Sequence, residues 1–195
     1  MIFSILLFPD FETLDVFGPV EIFGKLEGAI IRYFSENGGC VSNGDGVHIN
    51  TEKLDELSGT DVFFIPGGMG TRTEIYNTYL LELIKRISGQ SRFVLAVCTG
   101  SAILAKTGLL DAKKATSNKR SFEWVKGCSE KVDWIKDARW VVDGKYYTSS
   151  GVSAGIDMAL GFVADHFGVD EARRIAFRIE YRWLEDKNVD EFRKQ

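Results

Sequence analysis

Cysteine, proline and histidine are scarce in this chain, and each scarcity closes off a class of protein. The 195 residues hold three cysteines, three prolines and two histidines. Cys40, Cys98 and Cys128 are odd in number and far apart, with no C-x-x-C pair and no metal-ligand spacing. That excludes a disulfide scaffold and a metal site, and it fits free thiols in a reducing cytoplasm. With so few prolines, and no linker-like, low-complexity or repeated segment, nothing divides the chain. Residues 1–195 therefore read as one domain, with a frayed polar tail over 186–195. No apolar run approaches a membrane span. The apolar start, Met1 to Phe8, has no basic leader and no small-residue cleavage site, so it reads as a first strand and not a signal peptide. The net charge of -4 weighs against nucleic acid and an anionic membrane surface as partners.

What is present is an alternation of strand and helix signals. Apolar runs at Ile2 to Phe8, Ala29 to Ser35, Asp61 to Ile65 and Phe93 to Val97 suit strands buried on both faces. A helix expected to start near Gly18, with Pro19 in its first turn and Asp15 in the preceding turn, follows the first strand. Thr73 to Ser88 has one apolar face at helical spacing, including Ile75, Tyr79, Leu80, Leu83, Ile84 and Ile87. Asp143-Gly144, between two apolar runs, signals a type I′ hairpin. The small-residue turn Ser149 to Gly155 opens a helix with Ile156, Leu160, Val163 and Phe167 at core spacing, and a last helix runs from about Asp170, placed as an N-cap. The alternation implies an α/β fold with a mostly parallel sheet and helices on both faces.

The chemistry concentrates at Phe93 to Leu104. Five apolar residues run into Cys98, and Thr99-Gly100-Ser101 lead straight into helix-forming residues. A strand that turns into a helix without a loop holds its corner residue in a sharp bend, the logic of a nucleophile elbow with sulfur in place of oxygen. A thiol there sits at a helix N-terminus, which favours thiolate, and the amides after it can donate to developing negative charge. The competing reading is a buried, inert cysteine at a strand end. Pro66-Gly67-Gly68-Met69-Gly70 follows another strand, where glycines let backbone amides approach a ligand. Alone it reads as a plain tight turn. Beside a thiol elbow it is a candidate second donor.

These motifs in this order resemble the ThiJ/PfpI superfamily. They are Pro66-Gly67-Gly68, then Ala96-Val97-Cys98-Thr99-Gly100-Ser101, Gly108-Leu109-Leu110-Asp111, Lys114-Ala115-Thr116, and Thr148 through Asp157. The resemblance covers Ile2 to about Tyr181 and implies a single three-layer αβα domain of flavodoxin-like type, similar to class I glutamine amidotransferase domains. Leu14-Asp15 with Gly18-Pro19, and Cys98-Thr99-Gly100, resemble the isocyanide hydratase branch, to which the sensory domains of some AraC-type regulators are also similar. The superfamily's proteases carry histidine directly after the cysteine, where this chain has Thr99. Branch members often have histidine in the loop that here reads Thr116-Ser117-Asn118. With His48 and His166 far from every motif, a Cys-His dyad is not expected.

The resemblance implies a cysteine-dependent enzyme acting on a small electrophile such as an isocyanide, without metal or cofactor. Cys98 would be the nucleophile, Asp15 its acid/base partner, and Thr99 a third catalytic residue. Gly67, Gly68, Gly100 and Asn118 would form the oxyanion and substrate-binding set. Without the resemblance, Asp15 reads better as a helix N-cap or solvated loop acid, and Glu12 and Glu21 compete with it. A redox- or ligand-sensing protein without turnover, and a glyoxalase- or amidase-like hydrolase, are the alternatives. With Gln195 as the last residue, an appended helix-turn-helix domain and direct DNA binding are not expected, and the resemblance implies a homodimer.

Overall fold

A computed structural model describes residues 1–194 of the chain. In chain order its elements are β1 (Ile2–Leu6), α1 (Thr13–Phe23), β2 (Ile30–Ser35), β3 (Gly39–Ser42), β4 (His48–Lys53), β5 (Val62–Ile65), α2 (Thr71–Glu74), α3 (Thr78–Gln90), β6 (Phe93–Val97), α4 (Gly100–Lys106), β7 (Lys114–Ala115), α5 (Phe122–Lys126), β8 (Asp133–Trp134), β9 (Trp140–Asp143), β10 (Tyr146–Ser149), α6 (Ala154–Phe167) and α7 (Val169–Arg178). Eight strands form one sheet in the order β3-β4-β2-β1-β5-β6-β10-β9. Its six inner strands are parallel, and the edge strands β3 and β9 are antiparallel. Helices α1, α6 and α7 pack together, and α2, α3 and α5 gather around α4. This is the α/β fold with a mostly parallel sheet that the alternation implied.

The continuous apolar runs became strands because a parallel sheet covered on both faces gives every side chain an apolar neighbour. All four residues of β5 are buried, as are Val94 to Val97 of β6. On the α1/α6 face the core is aromatic. Phe3 stacks on Phe23 at 4.3 Å between centroids, and Phe162 meets Phe3, Phe23, Phe93 and Tyr147 edge-on. Such pairs add to the burial of the rings themselves. The chain leaves β1 for β2 on one side and comes back to β5 on the other. That reversal makes the carboxyl ends of β1 and β5 the switch point, where open α/β sheets bind ligands.

Several local expectations are corrected. Helix α1 starts at Thr13, so Asp15 lies on its first turn, and Pro19 is inside the helix. Packing overrides propensity here: a Cβ on Gly18 would stand 2.7 Å from Ile156 Cγ1, so α1 and α6 are pressed together at this point. The expected helix from Thr73 to Ser88 is two, α2 and α3. The Asn77 side chain accepts from the Leu80 amide and starts the second as its N-cap. Tyr79 is half exposed, while Ile75, Leu80, Leu83, Ile84 and Ile87 are buried. The hairpin register pairs Asp143 with Tyr146. Gly144-Lys145 is therefore the tip, and only Gly144 has positive φ, whereas a type I′ turn needs two. The N-cap of α7 is Gly168, not Asp170. The tail read as frayed is docked through Asp190: Lys187 O accepts from the Arg139 amide at 2.8 Å, and the Asp190 amide donates to Asp137 O at 2.8 Å. Gln195 lies outside the described residues. Among the described residues, no helix is long and apolar enough to cross a membrane.

Candidate active site

Four neighbouring parallel strands, β1, β5, β6 and β10, deliver their carboxyl ends to one place. The turn after β6 puts Cys98 at φ 56, a left-handed conformation rare for a residue with a Cβ. This strain is held from outside the turn. The Cys98 carbonyl accepts from Ser117 Oγ at 2.7 Å and from Ser101 Oγ at 2.9 Å, and its amide donates to Ser149 O at 3.2 Å. Over-determined strain of this kind is concentrated at functional sites. The elbow expected from the apolar run into Cys98 is therefore present, and α4 begins at Gly100.

Asp15 projects from the first turn of α1 and is fully buried. Its Oδ2 accepts from the Gly67 amide at 2.9 Å. Its Oδ1 has no partner at hydrogen-bonding geometry. The point where a Cβ on Gly67 would stand is within 2.8 Å of Asp15 Oδ2, Cys98 Cβ and the Thr99 amide nitrogen alike. Gly67 is thus the gap that lets the carboxyl and the thiol meet. Burial pushes the Asp15 carboxyl up to about 8; the Glu12 charge adds to this, while the Gly67 amide, the Cys98 thiol and the Val152 amide oppose it. Burial, and then the Asp15 charge, also push the Cys98 thiol up, against the Thr99 and Val152 amides and the Thr99 hydroxyl. Both shifts have the same leading cause: a charge in this buried space is poorly solvated. The two groups titrate as a pair.

Val152 carries the second strained backbone, at φ 45, an outlier for a β-branched residue. That conformation aims its amide at Cys98 and Asp15. The turn is held by Arg139, whose carbonyl accepts from the Ser150 amide at 2.8 Å and whose Nη2 donates to Ser153 Oγ at 3.4 Å. Arg139 is itself fixed by Asp157, with Nε to Oδ2 at 2.6 Å, both side chains buried.

A cavity of about 620 Å³ opens over the thiol, lined among others by Glu12, Gly68, Met69, Cys98, Thr99 and Asn118. Of the residues singled out from sequence, Cys98, Thr99, Gly68 and Asn118 reach it. Asp15 and Gly67 lie just beneath. Gly100 does not face it: a Cβ there would stand 2.6 Å from the carbonyl oxygens of Ile65 and Pro66, so its glycine is a packing requirement of α4 against β5. The Gly68 amide, proposed as an oxyanion donor from sequence, is committed to Thr99 Oγ1 at 3.1 Å. The Thr99 hydroxyl has one proton to give, either to Gly68 O at 3.3 Å or to the sulfur. The Asn118 side chain caps the Ser121 amide at 2.6 Å and abuts Gly151. Of the two competing acids, Glu12 lines the cavity and Glu21 pairs with Lys25 at 2.7 Å on the surface. His48 lies beside Cys40 and His166 beside Tyr147, so neither reaches Cys98.

Sequence reading missed Ser117, Ser101, Arg139 and the Val152 amide. Only Asp157 left a signal, a carboxylate between Ile156 and Met158 in the otherwise apolar run Ala154 to Ala164. A buried acid at such a position needs a partner.

The model of the DJ-1/PfpI family matches residues 3–165. Isonitrile hydratase of Pseudomonas putida is 31% identical over 177 residues, covering 90% of this chain and 76% of that protein. The HTH-type transcriptional regulator CdhR of Pseudomonas aeruginosa is 24% identical over 180 residues, covering 89% of this chain but 53% of the regulator, so the chain spans about half its length. Among solved structures, a THiJ/PfpI family protein from Pseudomonas syringae superposes with a TM-score of 0.82 at 28% identity, covering 92% of this chain and 74% of that one.

Proposed function

The chain belongs to the DJ-1/PfpI family, and from that premise we propose that it is a cysteine-dependent hydratase that converts an isonitrile to the N-substituted formamide. The observation that carries this is Asp15: a fully buried carboxyl in contact with the Cys98 thiol, with Oδ2 anchored on the Gly67 amide and Oδ1 without a partner, at the floor of the cavity. The similarity to isonitrile hydratase supports it.

A carboxyl whose pKa is raised to about 8 holds its proton at neutral pH. It can therefore give that proton to the isonitrile carbon from Oδ1 as the sulfur attacks that carbon. The thiol proton passes to Asp15 in the same exchange, so the S–H bond breaks, the C–S and C–H bonds form, and a thioimidate results. Oδ2 stays on the Gly67 amide throughout, which fixes the carboxyl plane. Protonated again, Asp15 gives its proton to the thioimidate nitrogen and takes one from water as the water oxygen adds to the thioimidate carbon. The C–S bond then breaks, the hydroxyl proton returns to sulfur, and the formamide leaves. Nothing is oxidised or reduced. The Thr99 and Val152 amides, aimed at the sulfur, stabilise the thiolate character that develops on it.

The test is formamide production from an aryl isonitrile, followed by proton NMR. Wild type should turn over many times, Cys98→Ser should not, and Asp15→Asn should be slower by roughly 10²- to 10⁴-fold, the usual share of general acid–base catalysis. Full activity in Asp15→Asn, or no formamide from wild type, rejects the reading.

A further inference from the structure

The cavity over Cys98 is much larger than an isonitrile group, and its charge is uneven. At about 620 Å³ it holds a small molecule with a body, not a bare functional group. Its single acid, Glu12, lies on the Cys98 side, where its charge acts on Asp15. Another wall is built by Arg72 and the segment Asn118, Lys119, Arg120 and Ser121. Lys119 is turned away: its ammonium donates to Ala138 O at 2.7 Å and Thr116 Oγ1 at 3.1 Å. The two guanidiniums are not so committed. Arg72 lies over the Trp124 ring at 4.6 Å and donates from Nη2 to Ser121 Oγ at 3.2 Å, with no carboxylate partner among the described residues. Arg120, exposed beside Ser121, likewise has none.

We propose that the substrate carries a carboxylate on its organic group, seated between Arg72 and Arg120 while the reacting carbon lies over Cys98. Stacking on Trp124 and the bond to Ser121 hold the Arg72 fork in place before the ligand arrives, so little is lost in ordering it. A planar fork is the side chain best matched to a carboxylate. The acid on the thiol side repels the same group, so charge alone orients the molecule. This rests on the hydratase reading for the reacting group but not for the anion.

The experiment compares 4-isocyanobenzoate with its methyl ester as substrates, and 4-formamidobenzoate with its methyl ester as ligands by calorimetry, on wild type and on Arg72→Gln/Arg120→Gln. Wild type should bind the carboxylate formamide roughly tenfold or more tighter than the ester, as expected for hydrogen bonds to a charged group. The same preference should appear in kcat/KM, through KM. In the double variant both ratios should fall toward one. Equal wild-type affinities, a preference that survives in the variant, or no binding of either formamide overturns the proposal. Preferential binding without hydration of either isonitrile upholds the anion site and rejects the hydratase reading. Hydration of both without preference does the reverse.

Discussion

Ser117 Oγ donates to the carbonyl of Cys98 at 2.7 Å, across 19 residues of chain. This bond, with that from Ser101, pins the elbow at φ 56. It joins the loop after β7 to the corner after β6, and so ties the wall that carries Asn118 to Cys98.

Removing that hydroxyl should loosen the corner. Ser117→Ala leaves the chain folded and lowers its stability by about 1 kcal/mol, the usual net value of one intramolecular hydrogen bond. Turnover should fall more than stability does, because the sulfur loses its fixed position. Denaturant unfolding beside steady-state kinetics checks both. An unaltered kcat would mean that Ser101 alone holds the bend.

Gly67 is irreplaceable for a different reason. In Gly67→Ala the new methyl would have to stand within 2.8 Å of Asp15 Oδ2, Cys98 Cβ and the Thr99 amide. The carboxyl and the thiol must separate. We expect a folded protein with activity reduced at least as far as in Asp15→Asn, and a crystal structure with Asp15 displaced from the residue 67 amide.

Stability should depend on pH through Asp15 in a direction opposite to that of a salt-bridged carboxylate. The native carboxyl keeps its proton to about pH 8, while the unfolded one loses it around 3.8. Between those values the native state binds more protons than the unfolded state, so stability falls as pH rises through the window. Asp15→Asn removes the penalty. The variant should exceed wild type at pH 8.5 by more than about 1 kcal/mol, and the gap should close as pH approaches 4. A gap that is constant with pH would place the Asp15 pKa near its unfolded value.

The thiol offers an independent probe of the same coupling. Cys98 is 6% exposed and its thiol is pushed up by burial and then by the Asp15 charge, whereas Cys40 is exposed. Iodoacetamide at pH 7.5 should label Cys40 first, as resolved by peptide mass spectrometry. Replacing Asp15 by Asn removes one of the two raising influences, so the Cys98 alkylation profile should move to lower pH. A profile that does not move would show that the two groups do not share charge.

The sequence alone determined the sheet, the helices on both its faces and the corner at Cys98. Those depend on local pattern: apolar runs of strand length, helical spacing, and a cysteine set directly between them. Family motifs pointed to Asp15 as well, although the helix bearing it was placed too late, because Pro19 reads locally as a first-turn residue and only the pressure of α6 on Gly18 keeps it inside α1. Tertiary structure decided the rest. That Asp15 is sealed, that Gly67 anchors one of its oxygens, that the Gly68 amide is occupied by Thr99, and that Val152 turns its own amide toward the sulfur are all facts about residues tens of positions apart. Burial and hydrogen-bond partnership are properties of the assembled chain. A carboxyl's pKa follows from them and not from its neighbours in sequence.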